Sequence, residues 1–256
     1  MLRRSLYFAY GCLAYALFVA TFLYAVAFVG GFAVPAQLDG PPGTPFSTAL
    51  AVDTFLLGVF AVQHSVMARR WFKRGWTRIV PWAIERSTYV LLASLALDLL
   101  FWRWRPLGGT LWSVQSPLAR MLIWAVFACG WLQVLVVTFY INHFDLFGLR
   151  QVWLHLLGRQ YTRIGFTTPA PYRFVRHPLY LGFLLAFWGA PTMTVAHLVF
   201  AAATTVYILV AIQFEERDLA HEHGVSYQEY RRRVPMLFPL FPGSLQQARP
   251  ERAIPR

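Results

Sequence analysis

Five long apolar runs constrain what this chain can fold into. They cover residues 6–28, 48–68, 87–104, 121–140 and 178–214, and few charged residues interrupt them. Lipid contains no water to bond a free N–H or C=O, so such a run crosses a membrane as a helix of about 20 residues. The sequence therefore predicts an all-α, polytopic membrane helix bundle.

The last run is too long for one crossing. As a single helix, residues 178–214 would extend about 55 Å, against a hydrocarbon core of about 30 Å. Gly189-Ala190-Pro191 interrupts the run, because proline lacks the N–H that a helix needs. We expect a hairpin with a short helix near 179–189 and a longer one near 192–214. The predicted fold is four spans plus this C-terminal hairpin, five to six helices in all, with a cytoplasmic C-terminal helix.

The basic residues predict the orientation of the bundle. The net charge is +12, and Lys73 is the only lysine among 23 basic residues. Twenty of them fall before the first run, within 69–86, within 141–177 or after 216, and three fall within 103–120. By the positive-inside rule, both termini are cytoplasmic. We expect a multi-pass protein of the bacterial inner membrane that contacts membrane lipids; nucleic acid is not expected as a partner, because the charges lie between apolar runs.

The first candidate site lies where the hairpin begins, in the stretch from Tyr172 to Gly182. Pro178 suits the first turn of a helix, which places Arg176 and His177 at a helix N-terminus that favours anions. The carboxylate of a cofactor derived from an amino acid would fit there. A positively charged membrane anchor with a capping turn is the alternative.

A second stretch, Glu215-Glu216, lies at the other end of the hairpin and thus at the same membrane face. Two adjacent acids at the end of a span are costly unless they are solvated or paired. They could bind a ribose, an amine or a sulfonium, or form salt bridges with Arg173 or Arg176. Residues 221–235 then predict an amphipathic helix.

These stretches resemble the isoprenylcysteine carboxyl methyltransferase superfamily. The resemblance rests on Arg176-His177-Pro178-x-Tyr180-x-Gly182, Glu215-Glu216-x-x-Leu219, Gly224-x-x-Tyr227-x-x-Tyr230 and Val234-Pro235. It implies an S-adenosylmethionine site closed by the hairpin and the tail. It also implies three parts: N-terminal transmembrane helices (1–120), a methyltransferase core (121–243, with the hairpin 178–214) and a flexible tail (244–256). The candidate cofactor-binding residues are Ile164, Gly165, Phe166, Thr167, Tyr172, Arg176, His177, Pro178, Leu179, Tyr180, Glu215 and Glu216.

From Gln63 onward the chain is more specifically similar to the bacterial methanethiol S-methyltransferases. The similarity rests on the segment from Asn142 to Trp153 and on Gly165-Phe166-Thr167-Thr168-Pro169 with Tyr172. It implies methyl transfer from S-adenosylmethionine to methanethiol, giving dimethyl sulfide. Where prenylcysteine enzymes carry an arginine, this chain has Ala211, which favours a small neutral acceptor. The alternatives are a larger lipid thiol or carboxyl acceptor, an NADPH-dependent reductase, and a non-catalytic protein on the same scaffold.

A protonated alkyl thiol is a poor nucleophile, so a nearby base would help. The candidates are His143, Asp145 and Asn142 after the fourth span, and His64 within the second. A hydrated helix end, a histidine that only packs, or a mechanism without a base are the alternatives. Asp53 and Asp98 are expected to pair with each other or with Arg103. No metal site is predicted, since the two cysteines lie inside apolar runs.

Overall fold

The computed structural model describes residues 1–162 and 168–238. The long helices are α1 (Leu2–Gly30), α2 (Phe46–Ala68), α4 (Trp82–Arg103), α5 (Pro117–Ile141) and α9 (Val195–Arg233). The shorter helices are α3 (Arg70–Trp76), α6 (His143–Leu146), α7 (Leu149–Leu156) and α8 (Pro178–Trp188), with a 3-10 turn at Ala170–Arg173. Two short strands, β1 (Thr110–Ser113) and β2 (Thr192–Thr194), pair antiparallel.

Four of the described helices, α1, α2, α5 and α9, are long and apolar enough to cross a membrane. The more polar α4 packs lengthwise against α1 and α2. Tyr10 donates to Thr88 near one end of α4, and the rings of Phe28 and Trp104 meet near the other. Because α4 runs the length of a spanning helix, it traverses the same layer, and the predicted polytopic all-α bundle is confirmed.

The C-terminal run folds as the predicted hairpin, with α8 leading away from the arginine-rich side and α9 returning to it. We call the side that holds the N-terminus, α3 and residues 142–162 and 168–177 the arginine-rich side. At the hairpin tip, β2 pairs with β1 from the connection between α4 and α5. The buried His197 bonds both Asp39 (3.0 Å) and the carbonyl of Phe187 (2.9 Å). The tip is thereby fixed to the loops of the opposite side.

Helix α9 is longer than the sequence predicted, because it continues beyond the apolar run to Arg233. It bends at Gly224, whose φ of 55° and ψ of −125° are not helical. Glycine adopts a positive φ without the steric clash of a Cβ atom. The predicted amphipathic segment is therefore the last part of α9, turned away from the axis of the span.

Helices α5 and α8 cross at two glycines, with backbone against backbone. A Cβ atom on Gly130 would lie 2.7 Å from the carbonyl oxygen of Gly182, and one on Gly182 would lie 2.9 Å from that of Gly130. Gln133 of α5 also donates to the carbonyl of Pro178 (2.8 Å). Helix α5 continues for about two turns beyond Gln133 towards the arginine-rich side. The start of α8 therefore lies about 12 Å short of the end of α5.

The main hydrophobic cluster joins α1, α4, α5 and α9 through residues such as Phe28, Trp104, Phe127 and Phe200. It thus crosses residue 120, where the sequence suggested a division; that division stays a prediction. The expected pairing of the intramembrane acids is wrong. Asp53 accepts from the backbone N–H of Arg105 (3.0 Å) and Asp98 from Thr21 (2.9 Å).

Candidate active site

The two motif stretches meet at the open end of the hairpin. His177 ends the loop before α8, and its Nε2 lies 3.2 Å from Oε1 of Glu216 on α9. Its Nδ1 lies 3.8 Å from Oε2 of Glu215. The two ends of the hairpin therefore lie side by side, as expected. The neighbouring acids Glu215 and Glu216 have different surroundings.

Glu216 is buried and fully engaged with basic groups. Two nitrogens of the Arg176 guanidinium lie 2.8 Å from Oε1, and the Nε atom of Arg231 lies 3.2 Å from Oε2. The third nitrogen of Arg176 donates to the carbonyls of Arg231 and Val234. The sequence left two roles open for these acids, ligand binding or a salt bridge to an arginine, and Glu216 forms the salt bridge. We call Glu216, Arg176, His177 and Arg231 the Glu216 cluster.

The chain beyond α9 folds back over this end of the hairpin. The backbone N–H groups of Arg176 and His177 donate to the carbonyls of Pro235 (2.9 Å) and Met236 (3.1 Å). Tyr230 donates to the carbonyl of Tyr172 (2.7 Å). The segment 234–236 thus covers the start of α8, in the place where the family resemblance implies closure by the tail.

Glu215 is the accessible carboxylate of the pair, with 44% of its side chain exposed. The hydroxyl of Tyr180, in the first turn of α8, lies close to this carboxylate. Burial and the nearby charge of Glu215 raise the pKa of Tyr172, so the phenol of Tyr172 is neutral. An open carboxylate beside phenol donors suits an amine or ribose hydroxyls, which fits the predicted cofactor.

Two further predicted contacts lie at the start of α8, in the recess that forms because α8 begins about 12 Å before α5 ends. Pro178 is buried at the first position of α8, and Leu179 follows it half-buried. Ile164, Gly165, Phe166 and Thr167 lie outside the described residues. The assignment of all these residues to a cofactor stays a prediction.

The candidates after α5 are tightly bonded to their surroundings. The buried His143 has its Nε2 2.8 Å from the hydroxyl of Tyr15 and its Nδ1 2.7 Å from that of Thr138. Its ring stacks on Phe139 with centroids 4.3 Å apart. Burial lowers the pKa of His143, so the ring is neutral near pH 7. Both nitrogens are already occupied.

Asp145 and Asn142 organise the short helices that follow. Asp145 pairs with Arg150 (2.9 Å) and accepts from Tyr161 (3.1 Å). Asn142, at a positive φ of 100°, caps α6 by accepting from the backbone N–H of Asp145. These contacts match the alternative of a hydrated, structured helix end, and a role in proton transfer stays a prediction.

His64 has a different environment, between α2, α4 and α9. The hydroxyl of Tyr89 lies 3.0 Å from each of its ring nitrogens, and Phe60 stacks on the ring. On the same helix, Ser65 is 3.2 Å from the hydroxyl of Tyr207 of α9. The sequence did not reveal these tyrosines as part of a site, although Tyr207 and Glu215 stand eight residues apart, on one helical face.

A family model described as "Phospholipid methyltransferase" matches residues 120–224. This match covers α5 from Arg120 onward, residues 142–177, the hairpin and α9 as far as Gly224. Together with the bundle, it defines the class of the protein: a membrane-embedded methyltransferase.

Curated relatives place the chain more closely. "Methanethiol S-methyltransferase" of Crocosphaera subtropica is 54% identical over 93% of this chain and 93% of its own length. The protein of the same name from Mycobacterium tuberculosis is 55% identical over 93% and 98%. "Methanethiol S-methyltransferase 1" of Bradyrhizobium diazoefficiens is 54% identical over 91% and 81%. The chain belongs to the methanethiol S-methyltransferase family. No solved structure matches it.

Proposed function

We propose that the protein transfers a methyl group from S-adenosylmethionine to methanethiol and so produces dimethyl sulfide. The observation that carries this proposal is the identity of 54–55% to proteins named for that acceptor, over 93% of the chain. The partly exposed Glu215, recessed at the mouth of the hairpin, supports a site for the methyl donor.

The donor supplies a methyl group that is already activated, so the protein has to bind, orient and exclude water. Glu215 would bind the amine or the ribose of the donor, with Tyr180 fixing the carboxylate. His177 and Tyr172 line the same mouth. Positioning of this kind contributes several kcal/mol to a displacement reaction. Arg176 and Glu216 would act indirectly, by holding the segment 234–236 over the recess.

The site would face the cytoplasm of a bacterial cell, where the methyl donor is made. The uneven distribution of basic residues supports this orientation of the inner-membrane protein, with both termini inside. Reporter fusions after residue 2 and after residue 238 test it. Signals from opposite sides of the membrane would refute this topology.

The cofactor assignment is tested by titrating the purified protein with S-adenosylhomocysteine and with NADPH. We expect binding of the first only. Glu215→Ala should weaken that binding, whereas Glu229→Ala, which removes the same charge from an exposed position of the same helix, should not. NADPH binding would favour the reductase, and an unchanged affinity in a folded Glu215→Ala variant would contradict the role of Glu215.

The acceptor is tested by comparing methylation of methanethiol with that of a prenylcysteine. We expect methanethiol to be preferred, because Ala211 offers no positive charge for an acceptor carboxylate. The opposite preference would move the protein to the class with larger acceptors. Donor binding without methylation of either compound would contradict the proposed reaction.

A further inference from the structure

One face of α9 is turned towards α2. Tyr207, Ala211 and Glu215 follow each other at intervals of four residues, which places them on the same side of the helix. Tyr207 meets Ser65 of α2, and Asp218, one turn beyond Glu215, forms an ion pair of 2.9 Å with Arg69 of α2. Ala211 therefore lies between two contacts to α2, where its small side chain leaves room.

The opposing surface contains His64. Its ring stacks on Phe60 (5.2 Å), which also contacts the ring of Tyr207 (6.3 Å). The hydroxyl of Tyr89 lies 3.0 Å from both ring nitrogens of His64, and its oxygen can accept from the nitrogen that carries the ring proton, which leaves the second, unprotonated nitrogen able to take a proton. The second nitrogen has no other partner among residues 1–162 and 168–238.

The same face of α9 leads on to Glu215, which follows Ala211 by four residues. Tyr180 of α8 packs beside Ile208 and Ile212 of α9, and its hydroxyl lies close to Glu215. Tyr180, Tyr207, Ala211 and His64 are each only half-buried, although they lie on helices within the apolar layer. Polar side chains that retain accessible surface inside an apolar layer are typical of a functional cavity. We call the space bounded by His64, Tyr89, Tyr207 and Ala211 the acceptor chamber.

We propose that the acceptor chamber binds the small alkyl thiol and that His64 accepts its proton. This inference rests on the proposed methyl transfer and adds the position of the acceptor and of the base. The thiol sulfur forms its new bond to the methyl carbon while the bond from that carbon to the sulfonium breaks. The thiol proton passes to the open ring nitrogen of His64 and then to solvent. The products are a neutral thioether, the demethylated donor and one proton.

His64 fits this role better than His143 on geometric grounds. Hydroxyls of Tyr15 and Thr138 occupy both nitrogens of His143, and either bond would have to break before a thiol could approach. Leaving a buried polar group without its partner is unfavourable. His64 needs no such rearrangement when its ring N–H donates to the oxygen of Tyr89, because the other nitrogen is then a free acceptor.

The first test compares His64→Gln with His155→Gln, which alters a half-buried histidine of α7 that stacks on Tyr7 of α1. Loss of a general base typically lowers the rate by about 10²-fold or more. We expect a loss of that order in kcat near pH 7 for His64→Gln, with the affinity for S-adenosylhomocysteine unchanged. The deficit should shrink as the pH rises, because the free thiol then ionises without help. The rate of His155→Gln should match the wild type.

A merely structural role of His64 predicts a deficit that does not depend on pH, and this result would overturn the assignment. Wild-type turnover in His64→Gln would overturn it too. Failure of the proposed function itself looks different: the wild type would then bind no S-adenosylhomocysteine or methylate no thiol.

The second test locates the chamber without relying on turnover. In a background with Cys12→Ser and Cys129→Ser, we compare Ala211→Cys with Ile212→Cys. The neighbouring Ile212 is fully buried and packs in a cluster with Leu184 of α8. Methyl methanethiosulfonate, a small thiol reagent, should modify the cysteine at 211 and leave the one at 212 unmodified. Equal protection of both positions would show that no chamber exists beside Ala211.

Discussion

The crossing of α5 and α8 predicts a specific effect of one added methyl group. In Gly182→Ala, the new Cβ would lie 2.9 Å from the carbonyl oxygen of Gly130 and 3.0 Å from the backbone nitrogen of Val134. Ordinary contacts begin at 3.4 Å, so α8 must move away from α5 by about 0.5 Å. Overpacking of this kind costs about 1–3 kcal/mol. Because α8 also carries His177 and Tyr180 at its start, the movement reaches the proposed site.

We expect Gly182→Ala to lower the midpoint of thermal unfolding in detergent, by about 2–4 °C for each kcal/mol. It should also reduce kcat, since a misplacement of about 1 Å can cost ~10²-fold. Gly58→Ala is the matched control, because nothing lies within 4 Å of a Cβ atom at Gly58 in α2. It should be neutral or stabilising. Equal stability and activity of the two variants would refute the close helix crossing.

Three further predictions concern groups away from this crossing. Glu216→Ala leaves the buried Arg176 without its carboxylate, so we expect a loss of about 3–5 kcal/mol in the free energy of unfolding, measured by denaturation in mixed micelles. Burial lowers the pKa of His143 below its usual value near 6.5, so the unfolded chain binds more protons and stability should fall as the pH drops below about 6.5. His143→Gln should remove that part of the decline in a comparison of unfolding midpoints at pH 7.5 and 5.5; an identical decline in both proteins would contradict it. Asp39→Asn weakens the bond to His197 at the hairpin tip and should lower thermal stability without changing the affinity for S-adenosylhomocysteine, which calorimetry would measure.

The spans and the hairpin were predictable because each depends on a property of one segment. Comparing the length of an apolar run with the thickness of the membrane shows whether the run crosses once or twice, and Pro191 marks where a helix must end. The charge distribution gave independent support, since basic stretches flank the run from 178 to 214 on both sides. These arguments need no knowledge of which helices are neighbours.

The chemistry of individual side chains was less predictable, because it depends on neighbours from distant parts of the chain. Glu215 and Glu216 are adjacent in sequence, yet they project about 100° apart on α9. One meets Arg176 and Arg231, and the other opens towards the recess. In the same way, nothing near His143 in sequence indicates that Tyr15 of α1 will bond its ring.

The Glu216 cluster also determines when the site can form during assembly in the membrane. Its members come from the loop before α8 and from α9. Residues 235–236, which bond the backbone of Arg176 and His177, come after all of these helices in the sequence. Helices inserted one after another would therefore build the recess first and cover it afterwards. A nascent chain whose spans are already inserted would still expose Arg176 and His177 until residues 234–236 fold over them. The site can therefore be covered by residues 234–236 only after the hairpin has been inserted.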